Sequence, residues 1–203
     1  MLAKTKWVID SAKSRINFEI EHFIVPNIKG TFKTFDATVY SINKDFTTDE
    51  IIFSISAKSL CTNDSYCDEH LKSMNVFDVE KHKQIYFKGR IIDKLNNKGC
   101  YVLLGELTIK GISKPIEFAV EFIGLTKSVF GNEKINFNVT GIINRNDWEL
   151  NSIVDLEAWQ ILVSDKIKIN CEVQLKRSTI QDIVVPFETI MEQKIVEKQV
   201  LPV

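Results

Sequence analysis

The chain has 203 residues, 44% of them hydrophobic, with 26 Lys and Arg against 27 Asp and Glu. That length suits one large domain or two small ones with a buried core. A net charge of -1 without a basic stripe argues against nucleic acid, and no apolar run reaches the roughly 18 residues of a membrane span.

The opening stretch "MLAKTKWVID" carries a few basic residues and passes straight into a Trp-led strand, with no apolar core of a secretory signal. If Met1 is the natural start, the expected station is the cytoplasm. A chain already trimmed of its signal would read the same way and be periplasmic.

Alternation of period two then dominates. "RINFEIEH" sets Ile16, Phe18 and Ile20 on one face, and "GTFKTFDATVYSI" adds a strand. "EIIFSISA" repeats the pattern with Ile51, Phe53 and Ile55.

Residues 64–75 interrupt the alternation. Cys67, Leu71 and Met74 fall at i, i+4 and i+7, and Ser65 with Asp68 has the spacing of a capping box. This predicts a short amphipathic helix followed by a turn carrying Phe77. A helix joining two barrel strands must lie across a side or an open end, where its apolar face closes the interior.

Strands resume with Ile85 and Phe87, then Val102, Leu104, Leu107 and Ile109 with a bulge expected at Gly105. Ile116, Phe118, Val120 and Phe122 follow, then Ile135, Phe137 and Val139. Ile167, Ile169, Cys171 and Val173 end the series. Turn residues separate them at Asn96-Asn97-Lys98-Gly99, Lys110-Gly111 and Gly131-Asn132. About eight strands, each apolar on one face and joined by short turns, make an antiparallel sandwich or a closed barrel. Closure is favoured, because eight strands enclose side chains or one small ligand.

Residues 146–165, with Trp148, Ile153, Leu156, Trp159 and Ile161, read as a second loop or short helix over one end. Residues 178–203 read as an appended tail, with a helix from Glu188 or an arm across a dimer, beyond a barrel of residues 1–177.

Motifs for catalysis and metals are sparse. The four cysteines, Cys61, Cys67, Cys100 and Cys171, are irregularly spaced and suit free thiols, with a Cys61–Cys67 bridge as the alternative. There is no HxH, HExxH, CxxC, phosphate loop or GxSxG elbow among them, so no metal or cofactor is expected. Cys67 and His70 lie at helical i, i+3 spacing, but nothing nearby marks an oxyanion hole. Arg145 and Asp147 beside Trp148 could brace a rim or receive a polar headgroup. Of the thirteen Phe, nine (Phe18, Phe23, Phe32, Phe53, Phe77, Phe87, Phe118, Phe122 and Phe137) sit on strand or lid positions. A filled core is the plainer reading of those rings; a cavity for a hydrophobic ligand is the other.

In order, "TKWVIDSAKSRINFEIEH", "IKGTFKTFDATV", "IIFSISAKSLCTNDSYCDEHLKSMNVFDVEKHKQIYF", "GELTIKGISKPIEFAVEF", "FNVTGIINRNDWEL" and "LVSDKIKINCEV" resemble the YceI-like family of polyisoprenoid-binding, lipocalin-like proteins. The resemblance covers roughly residues 5–175. It implies an eight-stranded antiparallel lipocalin-like barrel with a long apolar channel, amphiphile binding, homodimers, export in most members and no catalytic activity. The chain departs from the family pattern at several places. Cys67 replaces the usual Arg before Asp68, removing a rim salt bridge. Val76-Phe77-Asp78 replaces Phe-Phe-Asp, and Lys83 replaces a proline. Asp147-Trp148-Glu149 replaces Asp-Phe-Gly.

These readings converge on a carrier of a long apolar lipid: an isoprenoid, an isoprenoid quinone or a fatty amphiphile. The expected ligand-binding residues inside the barrel and its lid are Phe18, Ile20, Phe32, Phe53, Ile55, Leu71, Met74, Phe77, Phe87, Leu107, Phe118 and Phe137. His22, His70, Asn144, Arg145 and Trp148 are expected at the rim. The alternatives are a lipid-modifying enzyme working through His70 with Asp68 or Cys67, and a packed barrel serving as an interaction module.

Overall fold

A computed structural model describes residues 5–22, 27–41, 50–94, 99–127, 133–150 and 163–178. Within these residues eleven strands form one sheet: β1 (Thr5–Ile9), β2 (Arg15–His22), β3 (Ile28–Phe32), β4 (Phe35–Ser41), β5 (Glu50–Ser56), β6 (Leu60–Cys61), β7 (Gln84–Lys94), β8 (Cys100–Ile109), β9 (Ile112–Lys127), β10 (Glu133–Asn144) and β11 (Val163–Arg177). All pairings are antiparallel, and the ladder between β1 and β11 closes an eight-stranded barrel of β1, β4, β5, β7, β8, β9, β10 and β11. The remaining three strands prolong the barrel at one end. β2 pairs with the first part of β11, β3 with β2, and β6 with β3. Thus β1 and β2, β3 and β4, and β5 and β6 are three broken strands, and the barrel is an up-and-down meander in chain order.

The breaks are held by specific hydrogen bonds. Between β1 and β2 the Ser14 hydroxyl accepts the Gln174 N–H at 2.9 Å and so replaces a missing ladder bond. Asp10 there sits 3.3 Å from Lys176 and 3.8 Å from Lys134. Between β3 and β4, Ser59 from the 3₁₀ turn Ala57–Ser59 accepts the Thr34 N–H at 3.0 Å, and its hydroxyl donates to Ser56 O at 2.7 Å.

Lys110-Gly111 forms the expected two-residue hairpin between β8 and β9, with φ of 52° and 76°, and joins the facing pair Ile109 and Ile112. Positive φ at both positions is the type I′ geometry whose twist matches the strands. The bulge expected at Gly105 is instead one strand away, between Ile91 and Asp93 of β7. Gly105 stands in straight register with Gly89, so Leu103, Gly105, Leu107 and Ile109 share the inner face and Leu104 points out. The two glycines serve a close approach: a Cβ on Gly105 would stand 2.4 Å from Cζ of the Phe87 ring, which therefore lies along the wall.

The helical insert is α1 (Ser65–Lys72), shorter than the expected 64–75. Its N-cap is Asp64, not Ser65; the Asp64 carboxylate accepts the Cys67 N–H at 3.0 Å. After Lys72 the chain turns. Phe77 N–H donates to Leu71 O and Val79 N–H to Lys72 O, which swings Val76, Phe77 and Val79 beneath the helix. Topology puts α1, the Lys110-Gly111 hairpin and a 3₁₀ turn, Arg145–Trp148, at the same end of the barrel, that of β2, β3 and β6. Asn96 to Lys98, Gly131-Asn132, Phe23, residues 151–162 and 179–203 lie outside the described residues.

Candidate functional site

Inward side chains from all eight barrel strands surround an elongated cavity of about 340 Å³. An engineered apolar cavity of about 150 Å³ already takes up benzene, so this interior is not a filled core. Its wall is almost wholly hydrocarbon. Among the described residues the polar groups on it are few: Asn17, Asp64, His70 and Arg145, with Tyr66 and two thiols.

The space exists because several rings lie flat against glycines of the wall. Gly30 faces Phe18 across the β2–β3 ladder, and a Cβ there would come within 2.2 Å of the ring. Phe87 covers Gly89 and Gly105, and Phe118 covers Gly141 in the same manner. A ring pressed into the shallow groove left by a missing side chain occupies wall instead of axis. Ring pairs tie the wall together: Phe87 of β7 reaches across β8 to Phe118 of β9 at 5.8 Å, and Phe122 joins Phe137 of the adjacent β10 at 5.8 Å.

The lid joins this wall through aromatics. Phe77 meets Phe32 edge-on at 6.2 Å, and Phe32 meets Phe18 at 5.7 Å. Leu71 and Val76 are buried beneath α1, and Cys67 and His70 border the cavity. Tyr66, also on the border, is 65% exposed and marks the side that faces solvent.

Of the residues expected to bind a ligand, Phe18, Ile20, Phe32, Phe53, Ile55, His70, Leu71, Phe77, Phe87, Leu107, Phe118, Phe137 and Arg145 lie on the cavity. Four do not. Met74 is 75% exposed, because the helix ends before it and Phe77 fills the place its spacing suggested. Trp148 is 1% exposed and donates its indole N–H to Leu107 O at 3.1 Å, bracing the rim turn against β8. Asn144 turns its side chain to the Asn146 N–H at 3.0 Å and caps that same turn. His22 is buried at the end of β2, where its backbone N–H donates to Asn27 Oδ1 at 3.3 Å. Residues of the wall that were not singled out include Ile9, Val39, Ile91, Leu103, Val120 and Leu175. Strand parity carries the signal for most of them, but Leu103 runs against it, because the alternation set Leu104 on that face.

Two charged groups near the rim are engaged within the chain. Arg145 pairs with Asp165, Nε to Oδ1 2.9 Å, and not with Asp147 as the sequence suggested. Asp68 accepts from Thr62 N–H at 2.6 Å and from Thr62 Oγ1 at 2.7 Å, and its other oxygen is 3.8 Å from Lys72. Burial raises its pKa, but the Thr62 hydrogen bonds and Lys72 outweigh that and hold it below 3.8. Burial pushes the Cys67 thiol up, and pushes that of Cys171 to about 12, so both stay protonated. All four cysteines are free. Among the described residues no three His, Cys, Asp or Glu gather as metal ligands, and no helix is long and apolar enough to cross a membrane.

Comparison with known proteins agrees with this architecture. The YceI-like domain matches residues 7–175. A UPF0312 protein of Staphylococcus aureus strain N315 is 31% identical over 175 residues, covering 86% of this chain and 99% of that protein. The YCEI protein of Campylobacter jejuni superposes with a TM-score of 0.67 at 28% identity, covering 78% of this chain and 90% of that one. A polyisoprenoid binding domain from Saccharophagus degradans shares the fold at a TM-score of 0.61 and 12% identity, with 85% and 98% coverage. With the family match running from the Trp-led first strand to the last barrel strand, this chain belongs to the YceI-like family.

Proposed function

We propose that the protein binds and carries one long apolar tail, isoprenoid or fatty, inside the barrel. The supporting observation is the elongated, hydrocarbon-walled cavity of about 340 Å³ beneath α1. The Saccharophagus degradans domain of the same fold, described as polyisoprenoid binding, points to the same ligand class. Sheltering some fifteen tail carbons at about 0.8 kcal/mol per CH₂ gives on the order of 12 kcal/mol gross. Ordering the tail removes much of it, leaving micromolar to nanomolar affinity. A hydrocarbon wall discriminates headgroups poorly, so His70 and Arg145 at the rim are the residues that would select them.

Organic extraction of the purified protein followed by mass spectrometry tests this, together with uptake of a fluorescent prenyl probe. Recovery of a long-chain lipid and saturable uptake are expected. A reproducibly empty extract with no uptake would reject the reading. Chemistry at the rim is disfavoured by the protonated Cys67 and the engaged Asp68. It would show as turnover of the extracted lipid that is lost in His70→Ala with binding kept. An isoprenoid quinone as the natural ligand, a homodimer, an intracellular or periplasmic station, and a tail of 178–203 separate from a barrel of 1–177 belong to this proposal. Sedimentation, cell fractionation and deletion of the tail test the last three.

A further inference from the structure

We propose that Trp7, Ser41, Tyr101 and Ile135 form the floor of the cavity and that this floor sets the length of tail the barrel accepts. The inference rests on the lipid-binding reading and names a specificity determinant for it. On each of four strands the cavity stops at the same kind of step. Ile9, Val39, Leu103 and Phe137 line it, whereas the next inward side chain away from the lid does not: Trp7 on β1, Ser41 on β4, Tyr101 on β8 and Ile135 on β10. These four are nevertheless buried, Ile135 at 0% exposed. Buried side chains one step beyond the last lining layer, at the end opposite α1, are placed to act as a plug.

Its construction suits a fixed stop. Trp7 has the largest side chain available, and its indole N–H donates to Ser41 Oγ at 3.1 Å. That bond braces β1 to β4 and satisfies the indole, so the floor need hold no water. Ring pairing of Phe137 with Phe122 packs the layer just above. From Ile109 to Leu103 the wall of β8 descends six residues, which at about 3.3 Å rise and about 40° tilt makes a channel roughly 15 Å deep. Removing one layer, two residues of each strand, would deepen it by roughly 5 Å, about one isoprenoid repeat.

The test displaces a fluorescent prenyl probe from the full chain with a ladder of alcohols: geraniol, farnesol, geranylgeraniol and solanesol. Wild type is compared with Trp7→Leu, which lowers the floor, and with Val39→Phe, which raises it; circular dichroism checks folding. The floor predicts that the preferred length moves about one repeat longer in Trp7→Leu. Affinity for the next longer alcohol should rise about tenfold. In Val39→Phe the preferred length should move shorter. If Trp7→Leu does not fold, Tyr101→Leu replaces it, because it keeps the indole brace. A length preference unmoved by a folded floor variant overturns the ruler while leaving lipid binding intact. If wild type binds no member of the ladder, the functional reading falls, and the ruler with it.

Discussion

Asp68 shows how one side chain can hold a lid in place. Its carboxylate spans from α1 back to Thr62 in front of the helix, and those bonds favour its charged form. A group whose folded pKa lies below its unfolded value contributes stability above the unfolded value, and loses it as pH falls through the folded one. Thermal melts should therefore show the protein weakening below about pH 4, with a smaller pH response in Asp68→Asn, which starts less stable. An equal response in both proteins would remove Asp68 from that role. Glu149 makes the opposite case. It ends the rim turn in the left-handed region, φ 52°, a conformation that favours glycine. Its contact with Lys110 runs through the backbone O at 3.0 Å and survives substitution. Glu149→Gly should thus stabilise by about 0.5–1 kcal/mol, read from denaturant midpoints.

At the scale of elements, the lid is a helix of two turns that owes its place to the residues after it. Eight residues are too few for a helix to persist alone, and α1 is anchored by Leu71, Val76 and Phe77. Phe77→Ala breaks the aromatic chain to Phe32 and Phe18. Fully buried Phe→Ala changes cost about 3–5 kcal/mol; half-buried Phe77 should cost about 2 kcal/mol. The same variant should release a bound prenyl probe faster in stopped-flow measurements, because the lid then opens more often. An unchanged off-rate would mean that the tail leaves by another route.

For the whole molecule, the decisive property is that opposite walls do not meet. Barrel diameter grows with strand number, and at eight strands the interior is either filled by large side chains or left for one ligand. Here the rings seated over glycines tip the balance toward space. Gly30→Ala should drive the Phe18 ring into the channel, cost about 1–3 kcal/mol and weaken probe uptake. Gly124→Ala, where an added Cβ meets nothing within 4 Å, is the control and should leave uptake unchanged.

The sequence by itself determined which residues point inward along most strands, the Lys110-Gly111 hairpin, and the presence of a greasy insert between β6 and β7. These are local properties: strand parity has period two, a type I′ turn needs positive φ at adjacent residues, and an amphipathic run announces a lid. Where local logic misled, packing with another residue was responsible. Gly105 signalled a bulge until Phe87 and Gly89 were seen beside it, Met74 fitted a helix that Phe77 cuts short, and Arg145 took Asp165 over Asp147. Only the tertiary structure decided that the first three strands break at the same end and that the inward side chains leave a channel. A void is the difference between the span of the closed sheet and the reach of side chains far apart in sequence. Neither the span nor the seat of each ring is written in any single stretch of the chain.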